Sequence, residues 1–473
     1  MPIGERLSYM VFLTPEQIAA RQPLGVPRDA SAPLQRTRTQ LQLAGLWHPT
    51  QQMGQRWAMG CVALEITQRC NLDCTLCYLS DSAEAIKDIP LAEVFHRIDR
   101  IRERYGPNTD VQVTGGDPTL RPRDELLAIV RRIRERGLRP SLFTNGILAS
   151  RELLTALAQA GLVDVAFHVD MTQQRKGYAS EVELNALRLE YIARTQGLGL
   201  SVLFNTTVFD GNFHELPELA RFFVVHSRAV RFASFQLQAD TGRGVLHQRG
   251  YAITTASTIA KLHAGIGAKL NFDAASAGHS ACNRFGIALV ADGKAYDAMD
   301  DADYVKAFTR HTADLAFDRN NPRHVIHAVL ARMLQRPRFL WHSMRWAIRK
   351  AWRMKADLWQ ARGNVQKLTF FVHNFMDAQH LESDRIDACA FMVATHEGPM
   401  SMCLHNAQRD HYVLKALPMT FGGVQKYWNP LTGKLEAREA KIMNVQHTRK
   451  TARGRVKQAM HALDGEAIAR VAS

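Results

Sequence analysis

The sequence predicts an α/β protein in which a parallel sheet is covered on one face by helices, and three observations predict it. Six short apolar runs of strand length occur at 62–66, 110–113, 140–143, 163–169, 200–207 and 230–238. Five amphipathic stretches with helical spacing separate them, at 91–105, 123–136, 151–160, 181–195 and 213–226. Parallel strands need crossovers of that length, which hairpins do not. Ligand groups in such folds gather at the C-terminal ends of the strands, so the residues just past each run are the candidates for function.

The first run leads into Cys70-Asn-Leu-Asp-Cys74-Thr-Leu-Cys77-Tyr78. Three thiolates on one loop can hold three irons of a 4Fe-4S cube and leave the fourth iron open to a reactant. A structural zinc would need a fourth ligand nearby, and no Cys or His follows Cys77 at zinc-finger spacing. The second run ends in Thr114-Gly115-Gly116-Asp117-Pro118, where two glycines permit close backbone approach and the carboxylate suits an ammonium group. Taken alone this is a good turn. The Cys array followed by this loop resembles the radical S-adenosylmethionine (SAM) superfamily, in which a Gly-Gly-Glu-Pro loop holds the methionine amine; Asp117 stands here for Glu. The resemblance implies a partial (β/α)6 barrel, TIM-like, over 56–275, with a cluster on Cys70, Cys74 and Cys77 and SAM chelated to the open iron.

The remaining strand ends follow in order. The third carries Thr144-Asn145-Gly146, similar to a turn common in the superfamily and equally readable as a plain Asn-Gly turn. The fourth ends in Phe167-His168-Val169-Asp170, where the superfamily often has Ser-x-Asp; the resemblance places His168 at a ribose-contacting site, and a satisfied structural histidine is the other reading. On the fifth and sixth runs Asn205, Gln236 and Gln238 alternate with apolar residues and share one face, toward the ligands or toward solvent. The superfamily usually has an aromatic residue before the third cysteine to meet adenine. Here that residue is Leu76, which leaves stacking to Tyr78.

Past the barrel, Cys282, Cys389 and Cys403 are widely spaced. Free cysteines are often simply buried. The segment 371–406, however, looks like the C-terminal region of archaeal radical SAM enzymes of the tetraether-lipid-synthase group, which implies a second iron-sulfur cluster on these three thiols. Val372 and His373 stand where that group has a further cysteine, so the fourth ligand is a His, or missing. Cys61 reads as structural.

Residues 332–362 hold nine Lys or Arg against Asp357 alone, and four of the chain's seven Trp. Trp341, Met344, Ile348, Trp352 and Trp359 fall on one stripe, with Arg345, Arg349, Lys350 and Arg353 beside it, and Pro337 breaks the helix from the one before. Such a helix suits an anionic membrane interface; packing the stripe onto the barrel with a solvated basic flank is the alternative. The net charge of +15 allows nucleic acid, but no nucleic-acid module is recognisable, and the basic residues of 434–457 read as a solvated or flexible tail.

With 46% hydrophobic and 22% charged residues the chain can bury one large or two moderate cores. No signal peptide or bilayer-spanning stretch is expected, and an odd count of 7 Cys argues for a reducing, cytoplasmic setting, peripheral to a membrane through the basic helix. The expected divisions are an N-terminal extension (1–55), the core (56–275), a C-terminal α+β auxiliary region (276–410) and a basic tail (411–473). The resulting expectation is an enzyme that uses reductively cleaved SAM, as a 5'-deoxyadenosyl radical, to take hydrogen from an unactivated carbon, with a flavodoxin- or ferredoxin-like reductant as partner. A lipid or lipid-like chain is the first substrate reading; a peptide or tRNA is the second. A non-enzymatic iron-sulfur electron-transfer protein would need the Cys array without 115–118.

Overall fold

All six apolar runs are strands: β1 (Cys61–Thr67), β2 (Asp110–Gly115), β3 (Arg139–Thr144), β4 (Asp164–His168), β5 (Ser201–Val208) and β6 (Val230–Leu237). After a short α1 (Pro15–Ala20), the five expected helices are α2 (Leu91–Tyr105), α3 (Arg123–Glu135), α4 (Arg151–Gln159), α5 (Asn185–Thr195) and α6 (Leu216–Val225). This computed structural model describes residues 12–21, 23, 60–244, 246, 248–275, 277–315, 322–421 and 423–439. Strands β1 to β6 pair in chain order, all parallel. Val62, Leu64, Ile66, Val111 and Val113 point outward to Ile98, Ile101, Leu126, Ile129 and Ile133 of α2 and α3, and this apolar layer is fully buried. Alternation therefore sends Glu65, Thr67, His168, Asn205 and Gln236 to the opposite face of the sheet, the inside of a partial (β/α) barrel. Each buried Val, Leu or Ile of the outer layer contributes roughly 1.5–3 kcal/mol to this arrangement.

The expected division at 275 is not a division of the sheet. After α7 (Thr255–Ile266) come β7 (Asn283–Ala291), β8 (Lys294–Asp297), β9 (Gln366–His373), β10 (Phe391–Ala394) and β11 (Pro399–Ser401), and all join the same 11-stranded sheet. β9 lies parallel beside β6, and β10 lies parallel beside β1, with Val62 opposite Met392. The physical reason is that both outer strands of a six-stranded parallel run leave unpaired amides and carbonyls, which later segments satisfy. Within the expected tail, β12 (Leu417–Phe421), β13 (Val424–Trp428) and β14 (Leu435–Glu436) form a separate antiparallel sheet. Residues 440–473, and the N-terminal extension apart from 12–21 and 23, lie outside the described residues. Leu13 packs with Leu381, Ile386 and Leu404 in a second small core, so this end of the chain rests on the C-terminal region.

The basic segment consists of α8 (Ala302–Thr312), α9 (Pro322–Leu334), α10 (Pro337–Arg353) and α11 (Lys355–Gln360), with Pro337 at the first turn of α10 as expected. Its orientation differs from the packed alternative. Phe339 and Ser343 face α8, and Trp346 stacks on Tyr304 at 5.0 Å, whereas Trp341, Ile348, Trp352 and Trp359 are 65–86% exposed. Three of the four basic flank residues are paired, Arg349 with Asp300 and Asp301 and Lys350 and Arg353 with Asp300, while Arg345 is exposed. Among the described residues no helix is long and apolar enough to cross a membrane.

Candidate active site

β1 runs into the cysteine loop, and the glycines at the end of β2 are pressed against the residues that precede Cys70. The Gly116 amide donates to Thr67 O (2.9 Å) and the Asp117 amide to Arg69 O (2.8 Å). A Cβ at Gly115 would stand 2.0 Å from Thr67 O, and one at Gly116 would stand 1.9 Å from Arg69 O, so no other residue fits. These glycines let the loop after β2 approach the cysteine loop closely. Pro118 opens a 3-10 turn, Pro118–Leu120, directly behind them.

The Asp117 carboxylate is engaged by donors of the chain itself. It is fully buried and accepts from the Thr119 amide (3.0 Å) and hydroxyl (2.5 Å), the Thr144 hydroxyl (2.8 Å) and the Asn145 amide (2.8 Å). The side chain thus fastens the end of β2 to the end of β3. Asn145, so positioned, turns its Nδ2 to the Asn71 side chain (2.6 Å) and to Cys70 Sγ (3.9 Å). Tyr78 is likewise occupied: its hydroxyl donates to Gly115 O (2.6 Å) and the Arg409 guanidinium lies 4.7 Å over its ring. Arg409 is itself held by a buried ion pair with Glu65 (2.8 Å), whose carboxyl drops to about 2: burial alone would raise it, but the Arg409 charge prevails. Tyr78 is a clasp on the glycine loop, with one ring face already covered; Leu76 is half-buried.

At the next strand ends, His168 Nε2 lies 2.6 Å from Asp170 Oδ2, and His168 Nδ1 lies 3.1 Å from Asn205 Nδ2. Burial disfavours a charged His168, yet the Asp170 carboxylate outweighs it and raises the imidazole above its ordinary value. Burial likewise opposes the Asp170 charge, and His168 with the Thr172 and Thr207 donors brings that carboxyl down to about 2. Asp170 repeats the work of Asp117: it caps the turn Met171–Gln173 through the Thr172 amide (3.0 Å) and ties it to the Thr207 amide (2.7 Å) on the neighbouring strand. Asn205 Oδ1 is buried without a hydrogen-bond partner on the inner face, a polar atom that a bound ligand can satisfy. Gln236 sits in register with Thr207 and His373, and Gln238 donates to Leu246 O (3.0 Å), holding its own loop.

That loop, after β6, is what sequence reasoning missed. It zips along the cysteine loop: the Arg243 amide donates to Leu79 O (2.7 Å), the Gly244 amide to Cys77 O (2.9 Å) and the Leu246 amide to Thr75 O (3.1 Å). Gly242 has φ +59°, and a Cβ there would meet the Tyr78 carbonyl carbon at 2.3 Å. The buried Arg243 side chain directs Nε to Cys77 Sγ (3.4 Å). Only the dipeptide Gly242-Arg243 between two further turn residues could have signalled this, and it points to no partner.

The thiols fit an iron-sulfur cube. Burial pushes Cys70 up to about 11 and Cys74 well above the ordinary range, so both free side chains are neutral thiols, and a cluster would take them as thiolates with release of their protons. Among the described residues no three His, Cys, Asp or Glu side chains are gathered tightly enough for one metal ion. In a cube each thiolate ligates a different iron, so the three are held farther apart than around a single ion.

Cys282, Cys389 and Cys403 lie near one another. The Cys389 thiol lies 3.0 Å from Phe391 O, at the start of β10, and a Cβ at Gly278 would stand 2.8 Å from Ala388 O, so that loop passes close to the residues flanking Cys389. Cys282 accepts from Arg385 Nε at 3.2 Å, and burial pushes its thiol up to about 11. Cys403 is buried beside Met376 and Met400. Cys61 faces Phe391 across β1 and β10, so a fourth thiol borders the group. His373 stacks between Phe371 and Phe375, with Nδ1 on Asn283 Oδ1 (2.9 Å), and burial lowers it to about 3, which leaves its imidazole neutral.

Residues 64–223 match the Radical SAM superfamily, a family of enzymes that use a 4Fe-4S cluster and SAM, and the chain carries that domain. A PqqA peptide cyclase of Rhodopseudomonas palustris is 32% identical over 163 residues, covering 33% of this chain and 42% of that protein. A tungsten-containing aldehyde ferredoxin oxidoreductase cofactor-modifying protein of Pyrococcus furiosus is 30% identical over 172 residues, 34% of this chain and 46% of that one. The solved structure of Streptococcus suis SuiB bound to its precursor peptide SuiA overlaps 46% of each chain with a TM-score of 0.34 and 12% identity. The match thus spans under half the length of these curated relatives. They bear out the superfamily; they do not reach the tetraether-lipid-synthase likeness.

Proposed function

We propose, from the radical SAM domain this chain carries, that it is a SAM-dependent radical enzyme whose reaction takes place inside the barrel at the C-terminal ends of β1 to β6. The observation that carries this reading is the seating of the glycine pair on Thr67 and Arg69, which locks the cysteine loop against β2. Cys70, Cys74 and Cys77 would hold the cluster, and Asn205 with His168 would meet the polar part of SAM. When bound, the reduced cluster and SAM together supply a hydrogen-abstracting radical. The chain's own part is geometric. The ties made by Asp117 and Asp170 fix four strand ends, those of β2 with β3 and of β4 with β5, and Arg409 over Tyr78 covers one side of the glycine loop.

Anaerobically reconstituted protein should release 5'-deoxyadenosine with SAM and dithionite, and Cys70→Ala, Cys74→Ala or Cys77→Ala should abolish this while circular dichroism stays unchanged. Release of 5'-deoxyadenosine by the triple variant would overturn the assignment. For the substrate, relatives named for PqqA peptide modification support a peptide. The exposed Trp stripe of α10 and α11 supports a second reading, a lipid-like substrate reached from an anionic membrane surface. Cys282, Cys389 and Cys403 are proposed to hold a second cluster, with iron above four per chain as its sign and loss of only the excess in the triple Ala variant.

A further inference from the structure

Two arginines stand out because each directs a guanidinium N–H at a cysteine sulfur, one at each thiol group. Arg243 Nε lies 3.4 Å from Cys77 Sγ, and Arg385 Nε lies 3.2 Å from Cys282 Sγ. Both are buried, at 3% and 6% exposure. Both are also locked. The remaining nitrogens of Arg243 take Leu72 O (3.4 Å), Glu84 and Asp73; those of Arg385 take Asn374 O and Glu382 (2.9 Å).

We propose that Arg243 and Arg385 are positioning residues that set the reduction potentials of the two iron-sulfur clusters by donating to one ligand sulfur of each. The inference rests on the cluster assignment above. Reduction adds one electron to a cluster, and a donor or a positive charge at a ligand sulfur stabilises the added charge, so the potential rises. The acids paired with the arginines do not cancel this. Coulomb energy falls with distance and the guanidinium N–H is the group in contact with the sulfur; Glu84, 46% exposed, is screened by water, while Asp73 and Glu382, at 18% and 19%, offset part of the effect and leave the directed N–H donor as its main source. Arginine suits the task because its planar fork serves the sulfur, a backbone carbonyl and a carboxylate at once; a lysine ammonium at the end of a flexible stem cannot hold all three. In both sites the same side chain that tunes the sulfur also fixes the loop that bears it. Arg243 joins the post-β6 loop to the cysteine loop, and Arg385 joins the residues before β10 to the turn at Asn374.

The test is an anaerobic redox titration of the reconstituted full chain, followed by electron paramagnetic resonance with iron counted in parallel. Arg243→Met should move the midpoint of the SAM-cluster signal to more negative potential with iron per chain unchanged, and leave the second signal where it was. Arg385→Met should do the reverse. Arg243→Lys, which restores the charge without the fork, should fall between wild type and Arg243→Met. Midpoints unchanged in both Met variants at full iron content would overturn the proposal. So would iron loss in Arg243→Met that Arg243→Lys does not restore, since the residue would then act only as a clasp. Wild-type protein that takes up no iron would instead refute the cluster assignment, a result distinguishable from either.

Discussion

Asp117 and Asp170 perform one design twice: each ends a stretch of parallel strand, caps a 3-10 turn through a threonine two residues on, and reaches to the neighbouring strand. A buried carboxylate with four donors cannot be removed cheaply, because the donors are left unpaired. Asp117→Ala should therefore cost about 2–4 kcal/mol in urea unfolding, and Asp117→Asn less, since an amide oxygen still accepts. The His168–Asp170 pair adds a pH signature. Asp170 is held down at about 2, so its contribution is present above the ordinary carboxylate value and is lost as pH falls toward about 2. His168 is raised above 6.5, so its contribution is complete below that value and is lost as pH rises through the folded value. The stability gap between wild type and His168→Gln should be largest near about pH 5 and should shrink in alkaline buffer. A gap independent of pH would sever the pair. Neither aspartate's role was legible: Gly-Gly-Asp-Pro advertises a ligand loop, while the partners of Asp117 come from Thr144 and Asn145 on another strand.

At the level of elements, the alternation of apolar runs and amphipathic stretches located every strand from β1 to β6 and every helix from α2 to α6 within a few residues, because each unit buries a layer of its own next to its chain neighbours. The cysteine loop was legible for the same reason, its three ligands being local. The loop after β6 was not, since Arg243 meets Cys77 from 166 residues away. Its rigidity depends on Gly242, and Gly242→Ala adds both a Cβ clash and a left-handed residue; we expect more than about 1 kcal/mol of local destabilisation, seen as faster proteolysis after Gln238 and poorer iron retention. The stripe of α10 was found from sequence, but its direction was not, because periodicity marks a face without saying what lies opposite. Trp341→Ser with Trp352→Ser should change the melting temperature little, since both residues are about 70% exposed, while reducing sedimentation with anionic liposomes. Charge reversal belongs at Arg338 and Arg345, because Arg349 and Arg353 are engaged with Asp300. Wild type that stays in the supernatant at low salt would remove the membrane reading.

For the whole molecule, the residues 56–275 expected to form the core do not close their own sheet. β9 and β10 complete it on either side, and the Glu65–Arg409 pair bolts the C-terminal region to β1. A fragment ending at 275 should therefore be recovered as aggregate, whereas the full chain should unfold cooperatively by circular dichroism. The pairing of β1 with β10 also bears on synthesis. β1, the first of the six parallel strands, receives its second neighbour only when Met392 has been made, so the long stretch between them is translated while one edge of β1 is bare. Contacts so distant in sequence close slowly, and the nascent protein must stay protected from its own kind meanwhile. Expression yield should respond to chaperone supply and to a slower elongation rate more than to any single substitution in the finished core.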